Sequence, residues 1–199
     1  YNCGRIIAAL KEAAGQGAQV TVFPELCVCG YTCGDLFNQR ALIEETQRAL
    51  INIAQASKGV KSLVFLGAPI VCGGKLYNCG VAISNGKILG VVPKSNIPDY
   101  GEFYEGRHFT AFKGKTQSIT IGDWIVPFGT DILFTAENCP SLKVACEICE
   151  DLWVPNSPSA KHATAGATVI VNLSCSNEVI GKAEYRRSLI SVQSAKLIC

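Results

Sequence analysis

Apolar runs of strand length alternate with amphipathic helical stretches along this chain, and that alternation most constrains its fold. The runs are rich in β-branched residues and end at turn residues, as buried strands do. They cover residues 19–23, 63–70, 76–84, 87–92, 142–148 and 168–173, with shorter strands expected within 118–134. Helical spacing covers residues 5–14, 36–56 and 182–197, with a short helix expected at 159–165. The pattern predicts an α/β protein.

The connections between the runs predict a mixed sheet. Asn85-Gly86 separates two apolar runs and is the strongest hairpin signal in the chain, whereas strands and helices alternate in the first and last thirds. We therefore expect a mixed sheet layered with helices, an α/β sandwich. No linker or repeat marks a boundary, so residues 1–199 are predicted to form one domain. We expect it to be a fragment without its terminal strands, since no strand precedes the first helix and residues 197–199 resemble the start of another.

Composition excludes several classes of function. The 18 Lys and Arg residues nearly balance 16 Asp and Glu residues, and the net charge of +2 favours neither nucleic acid nor a membrane surface as a partner. No apolar run reaches the roughly 18 residues of a membrane-spanning helix. Hydrophobic residues make up 48% of the chain, which excludes a disordered protein.

The chain contains eleven cysteines, although disulfide scaffolds are usually small and loop-rich. We interpret most of these thiols as small buried hydrophobes in a reducing compartment, which predicts a cytoplasmic location. Cys146 and Cys149 form a Cys-x-x-Cys pair, so a metal- or redox-responsive module is the non-enzyme alternative. We expect no metal, because Cys146 lies within a predicted strand and Cys27, Cys29 and Cys33 do not complete a standard zinc-knuckle spacing.

Three polar residues follow directly after apolar strands: Glu25, Lys94 and Cys149. Because strand ends at one edge of a layered α/β sheet converge, we expect these side chains to meet. A cysteine thiol with a pKa of about 8.5 is mostly protonated at neutral pH. A carboxylate that accepts its proton and an ammonium that stabilises the anionic intermediate would make it a nucleophile. Taken singly, each residue has an ordinary structural explanation, and only their joint placement predicts a catalytic site.

The segments around these residues resemble the three motifs of the nitrilase, or carbon–nitrogen hydrolase, superfamily. VFPEL (22–26), VVPKSNIP (91–98) and ACEICEDLW (145–153) fit in order and separation. More narrowly, nearly the whole chain resembles the N-terminal glutaminase domain of glutamine-dependent NAD synthetases. That resemblance rests on FPELCVCGYTCGDLF (23–37), PKSNIPDYGEFYEGRHF (93–109), FGTDILF (128–134), EICEDLWVPNSPS (147–159) and NLSCSNEVIGKAEYRR (172–187). It implies the α-β-β-α sandwich of the nitrilases.

The resemblance also implies roles for individual residues. Glu25 would be the general base, Cys149 the nucleophile and Lys94 the group that stabilises the oxyanion. Glu105 matches a second glutamate that positions the substrate or the lysine. Tyr100 matches an aromatic hydroxyl near the glutamine.

Ser176 and Lys182 fall where the family contacts the α-amino and α-carboxyl groups of its substrate. Lys182 often has an arginine counterpart in the family, and lysine keeps the charge without the bidentate fork. The implied reaction is hydrolysis of the side-chain amide of L-glutamine, with no cofactor. The ammonia would pass to a synthetase domain of the same parent chain, which uses ATP and Mg²⁺ and is not present here. We also expect a homo-oligomer, and another amidase or a carbamoylase is the alternative enzyme.

Overall fold

The computed structural model describes residues 1–199 as two β-sheets with four α-helices and three short 3₁₀ segments. The helices are α1 (Asn2–Gly15), α2 (Arg40–Ala56), α3 (Pro158–Thr164) and α4 (Lys182–Leu197). The strands are β1 (Val20–Val22), β2 (Leu63–Cys72), β3 (Lys75–Ser84), β4 (Lys87–Pro93), β5 (Gln117–Ile121), β6 (Trp124–Phe128), β7 (Phe134–Ala136), β8 (Cys139–Ile148) and β9 (Val169–Leu173). The 3₁₀ segments are Tyr31–Asn38, Glu105–Arg107 and Cys149–Leu152. The predicted α/β class is confirmed.

The structure has two mixed sheets; the connections predicted a mixed sheet, and the resemblance to the nitrilases implied the α-β-β-α sandwich. The larger sheet has the order β1-β2-β3-β4-β6-β5, in which β1 is parallel to β2 and β4 is parallel to β6. Its other neighbours are antiparallel. The smaller sheet has the order β7-β8-β9, with β8 antiparallel to β7 and parallel to β9.

The predicted hairpin joins β3 to β4. Asn85 and Gly86 both have positive φ, at 45° and 83°. Two successive positive φ values form the turn whose twist matches paired strands, and Asn-Gly is the pair that adopts it most readily. The hairpin brings β4, and the lysine that follows it, next to β3.

Side chains along each strand of the larger sheet point alternately to its two faces, and each face lines a separate hydrophobic core. Val64 and Leu66 of β2 face one way and pack with Leu50 of α2 in the core under the helices. Phe65 faces the other way and packs with Val144 of the smaller sheet. Because α3 lies against β8, the layers run helix, sheet, sheet, helix. This is the expected nitrilase-like sandwich.

The structure differs from the sequence predictions in its later segments. The apolar side predicted for α4 is not buried, because Ile190, Val192 and Ala195 are exposed and Leu189 is only partly buried. Helical spacing predicts a helix but not the presence of an element to pack on it. Residues 197–199 do not begin a strand, because Ile198 ends α4 in a left-handed conformation with φ of 56°.

Two further predictions need correction. The helix expected over residues 36–56 begins at Arg40, because Gln39 is extended and separates α2 from the preceding 3₁₀ segment. Most of the eleven cysteines are only partly buried, and Cys79, Cys146 and Cys149 are the buried ones. All eleven are free thiols. None of the helices has the length and apolarity needed to cross a membrane.

Candidate active site

Glu25 sits in a turn after β1 that rests directly on β2. A Cβ atom on Gly67 of β2 would lie 2.1 Å from the Leu26 backbone nitrogen and 2.5 Å from the Pro24 carbonyl oxygen. Only glycine allows this approach. The Val28 N–H donates to the Gly67 carbonyl at 3.1 Å and holds the turn in place. Glu25 is consequently 2% exposed, with its carboxylate inside the protein.

Lys94 extends β4 and buries its whole side chain. Its backbone N–H donates to the Asn78 carbonyl of β3 at 2.8 Å. Its ammonium donates to Glu25 Oε1 at 2.6 Å and to the two oxygens of Glu105 at 2.8 and 2.9 Å. One buried cation therefore lies between two buried carboxylates.

The pKa values of Glu25 and Lys94 are both raised, but for different reasons. Burial raises the pKa of Glu25, and Glu105 adds to the rise while Lys94 opposes it. Burial alone would lower the pKa of Lys94, but Glu25 and Glu105 outweigh it and the pKa is raised. The ammonium thus stays charged, and the Glu25 carboxylate is a stronger base than a solvated glutamate.

Two further side chains hold the carboxylates. The Tyr31 hydroxyl donates to Glu105 Oε1 at 2.8 Å. The Asn78 amide donates to Glu25 Oε1 at 2.7 Å and to Glu105 Oε2 at 3.3 Å. Neither residue was among the predicted site residues. Asn78 carries a signal that could have found it, since it is an amide in an otherwise apolar strand, fully buried in the structure.

Cys149 begins the 3₁₀ segment after β8 with a positive φ of 43°, which points its thiol out of the strand direction. Its N–H donates to Asn172 Oδ1 of β9 at 3.1 Å, and the Ser174 hydroxyl donates to its sulfur at 3.3 Å. Burial and the nearby Glu25 charge raise the pKa of the thiol to about 11, against the opposing effect of Lys94. The thiol is therefore protonated at neutral pH.

The segment after β9 connects the thiol to the carboxylate. Ser174 contacts Cys149, and the N–H of the next residue, Cys175, donates to Glu25 Oε2 at 3.0 Å. The structure thus brings Glu25, Lys94 and Cys149 together. Cys146 belongs to the core between the sheets and not to this cluster.

Buried Asp151 ties the Lys94 and Cys149 segments together. It accepts from the Asn96 N–H at 2.9 Å, from the Asn96 side-chain amide at 2.8 Å and from the Ile148 N–H at 3.1 Å. Its pKa is raised by burial. Asp151 was not among the predicted site residues, although it lies within the third motif.

A cavity of about 330 Å³ opens beside Glu105. Its walls are half hydrophobic and include Phe37, Phe103 and Phe109, and Cys175 borders it as well. A volume of this size with a few convergent polar groups suits a small polar molecule.

The other predicted residues surround the cluster. Ser176 lines the cavity. The Tyr100 hydroxyl donates to Glu150 Oε2 at 2.9 Å, next to Cys149, and burial together with this hydrogen bond raises its pKa to about 12. Lys182 places its ammonium 5.6 Å from the ring centre of Phe103 and 5.4 Å from that of Trp153, where it is attracted by both rings.

The chain is similar to known proteins over its whole length. The family model described as "Carbon-nitrogen hydrolase" matches residues 1–196. The glutamine-dependent NAD(+) synthetase of Mycobacterium tuberculosis is 41% identical over 197 residues, 99% of this chain. The protein of the same name from Homo sapiens is 30% identical over 205 residues, 98% of this chain. The chain spans only 29% and 28% of the lengths of these two relatives.

Solved structures of related proteins superpose on this chain. A glutamine-dependent NAD(+) synthetase from Cytophaga hutchinsonii superposes with a TM-score of 0.87 at 31% identity, covering 100% of this chain and 32% of that one. An amidase from Nesterenkonia superposes with a TM-score of 0.72 at 17% identity, covering 98% of this chain and 66% of that one. At 17% identity, the similarity to the amidase shows a shared fold alone.

Proposed function

This chain belongs to the carbon–nitrogen hydrolase family, and from that premise we propose that it is a glutaminase whose site is formed by Glu25, Lys94 and Cys149. Its homology to the glutaminase part of glutamine-dependent NAD synthetases makes the side-chain amide of L-glutamine the proposed substrate. The observation that carries the proposal is the buried Lys94 ammonium, 2.6 Å from Glu25 Oε1, with the Cys149 thiol close enough for both charges to affect its pKa.

The first step forms a bond between the Cys149 sulfur and the carboxamide carbon. A thiol with a pKa of about 11 needs a base at neutral pH, and Glu25 accepts its proton as the sulfur attacks. The raised pKa of Glu25 suits this role, because proton transfer is most efficient when the pKa of the base approaches the working pH.

The attack leaves a negative charge on the carboxamide oxygen. In this proposal the Lys94 ammonium and the backbone N–H of Glu150 stabilise that oxyanion. Glu105 keeps Lys94 charged and in position, because both of its oxygens accept from Nζ. Such fixed charges need no reorganisation when the oxyanion forms.

The intermediate then collapses. The carbon–nitrogen bond breaks, Glu25 returns its proton to the leaving nitrogen, and ammonia departs from a thioester on Cys149. Glu25 next removes a proton from water, which attacks the thioester carbon, and the sulfur leaves and recovers its proton. The products are glutamate and free enzyme.

Substrate recognition is assigned to Tyr100, Glu105, Ser176 and Lys182. Lys182 supplies the positive charge for the α-carboxylate, and its position against Phe103 supports this, because Phe103 also lines the cavity. Ser176 lines the same cavity and is available to the α-amino group.

The chain spans less than a third of the length of these relatives, so we also propose what the whole protein does. We place the ammonia acceptor in a synthetase domain of the same parent chain, where ATP and Mg²⁺ would bind. Amide hydrolysis itself needs no cofactor, since Lys94 supplies the positive charge and Cys149 the nucleophile. We further expect a homo-oligomer and a cytoplasmic location, the latter in keeping with eleven free thiols.

Ammonia release from L-glutamine tests the proposal. Lys94→Ala removes an oxyanion donor and is expected to lower kcat by about 10²–10³-fold. Cys149→Ser retains the shape of the site but should lose almost all turnover. The matched control is Lys87→Ala at the exposed start of β4, which should keep the parental rate.

Circular dichroism and the thermal midpoint establish that each variant is folded. Parental glutaminase rates in folded Lys94→Ala or Cys149→Ser would contradict the assigned mechanism. Release of ammonia from simple aliphatic amides in preference to glutamine would instead support the alternative amidase.

A further inference from the structure

Glu147 is a buried carboxylate to which the proposed reaction gives no role. It lies in β8 two residues before Cys149 and is 2% exposed. Its Oε1 accepts from the Asn172 side-chain amide at 3.3 Å, and its Oε2 accepts from the Ser159 N–H at 3.0 Å. Neither partner belongs to the proposed catalytic residues. Because burying a carboxylate is costly, its place so close to the thiol calls for a function.

Asn172 of β9 connects Glu147 to the backbone of Cys149. Glu147 and Asn172 are partners in the parallel ladder between β8 and β9, which ends at the next pair, Ile148 and Leu173. Beyond that end, the Asn172 side chain supplies the next contacts. Its Oδ1 accepts from the Cys149 N–H at 3.1 Å, and its Nδ2 donates to the Cys149 carbonyl oxygen at 3.4 Å. One amide thus binds both backbone polar groups of Cys149.

Only one orientation of the Asn172 amide makes these contacts. If the amide turned over, Nδ2 would face the N–H of Cys149, which donates, and Oδ1 would face the Glu147 carboxylate, which accepts. Glu147 therefore selects the orientation in which Oδ1 receives the Cys149 N–H. Burial raises the pKa of Glu147, whereas the hydrogen bonds from Asn172 and Ser159 oppose the rise and favour the charged acceptor.

The conformation of Cys149 depends on such contacts. Its φ of 43° lies in the left-handed region, which is unfavourable for a residue with a side chain and persists only where neighbouring groups hold it. We propose that Glu147 is a positioning residue: through Asn172 it holds the Cys149 backbone so that the thiol keeps the position from which it attacks the amide carbon. This role rests on the proposed function, in which Cys149 is the nucleophile.

Glu147→Gln tests the proposal with little change of shape. The glutamine oxygen can accept from the Ser159 N–H, and its NH₂ group then faces Asn172 Nδ2. The Asn172 amide should therefore turn over and leave the Cys149 N–H without its acceptor. We expect kcat to fall about tenfold while KM for glutamine stays within about twofold, because a small misplacement of reacting atoms slows the chemical step. Glu137→Gln, at an exposed turn before β8, should keep the parental rate.

A double-mutant cycle separates positioning through Asn172 from general support of the fold. Asn172→Ala should lower kcat at least as much as Glu147→Gln does. If Glu147 acts through Asn172, adding Glu147→Gln to Asn172→Ala should lower kcat no further. Effects on kcat that multiply in the double variant, or parental kcat in Glu147→Gln, would overturn the proposal. If Glu147→Gln does not fold, Glu147→Asp takes its place in the cycle, because it keeps the charge but shortens the reach to Asn172.

Amide hydrogen exchange, measured by NMR, gives a readout that needs no turnover. The Cys149 N–H should exchange about tenfold faster in Glu147→Gln than in the parent, whereas buried Val144 of the same strand should exchange at the parental rate. Unchanged exchange at Cys149, or equal acceleration at Cys149 and Val144, would overturn the proposal. Faster exchange at Cys149 alone, in a protein whose parent releases no ammonia from glutamine, would instead contradict the glutaminase proposal and leave the contact through Asn172 standing.

Discussion

Lys94 concentrates the electrostatics of the site in a single residue. A fully buried ammonium is costly unless opposite charges and hydrogen bonds replace its water, and Glu25 and Glu105 provide both. Burial raises the pKa of Glu25, and the negative charge of Glu105 on the same cation adds to that rise. The second oxygen of Glu25 accepts the N–H of Cys175.

The raised pKa of Glu25 predicts where activity is lost at low pH. As the proposed base, Glu25 would work only when ionised, so kcat/KM for glutamine should fall as pH drops through a value above the ordinary glutamate pKa of 4.5. The thiol does not produce this limb, because the pKa of Cys149 is about 11. Glutaminase assays across the acid range give the profile.

Glu105→Gln provides the diagnostic variant for that profile. The charge of Glu105 raises the pKa of Glu25. Removing that charge should move the acid limb to lower pH, whatever happens to the maximal rate. Glu102→Gln, an exposed glutamate three residues away, should leave the limb in place. An acid limb at or below 4.5 in the parent, or a shift to higher pH in Glu105→Gln, would remove Glu25 from the role of base.

At the scale of elements, the strand ends determine the site more than the helices do. Glu25, Lys94 and Cys149 were predictable because each directly follows an apolar strand, and strand ends at one edge converge. Tyr31 was not predictable by that rule, since its hydroxyl reaches Glu105 from a 3₁₀ segment. The exposure of Ile190, Val192 and Ala195 on the apolar side of α4 was not predictable either, because periodicity within one helix contains no information about its neighbours.

The contact between the Glu25 turn and β2 predicts a strict requirement for Gly67. In Gly67→Ala the new methyl would lie 2.1 Å from the Leu26 nitrogen, so the turn must move. We expect a loss of unfolding free energy of about 1–3 kcal/mol, typical of overpacking, and lower kcat because Glu25 moves with the turn. Urea unfolding and glutaminase assays measure the two effects.

Gly4→Ala in α1 is the matched control. A Cβ there meets no atom within 4 Å, and alanine should stabilise the helix by about 0.5–1 kcal/mol without affecting turnover. If Gly67→Ala kept parental stability and rate, the Glu25 turn would not depend on this close approach.

At the scale of the whole molecule, the site is divided between the two sheets. Glu25 and Lys94 follow β1 and β4 of the larger sheet, whereas Cys149 follows β8 of the smaller one. The apolar layer between the sheets, with Phe65 facing Val144, therefore sets the distance between Glu25, the proposed base, and Cys149, the proposed nucleophile. The residue pattern predicted a mixed sheet, and the nitrilase resemblance implied two sheets. Neither predicted which side chain connects the sheets at the site.

Asp151 connects the two sheets at the site, and Asp151→Asn tests that connection. It accepts from the Asn96 N–H, beyond β4, and from the Ile148 N–H of β8. Asp151→Asn replaces one acceptor oxygen with a donor, so one buried N–H loses its partner and unfolding free energy should fall by about 1–3 kcal/mol. Because the Lys94 and Cys149 segments then separate, kcat should fall while KM for glutamine changes little.

Asp123→Asn, at an exposed turn, is the control for loss of charge. A variant that loses stability but keeps kcat would show that Asp151 supports the fold without setting the geometry between the sheets.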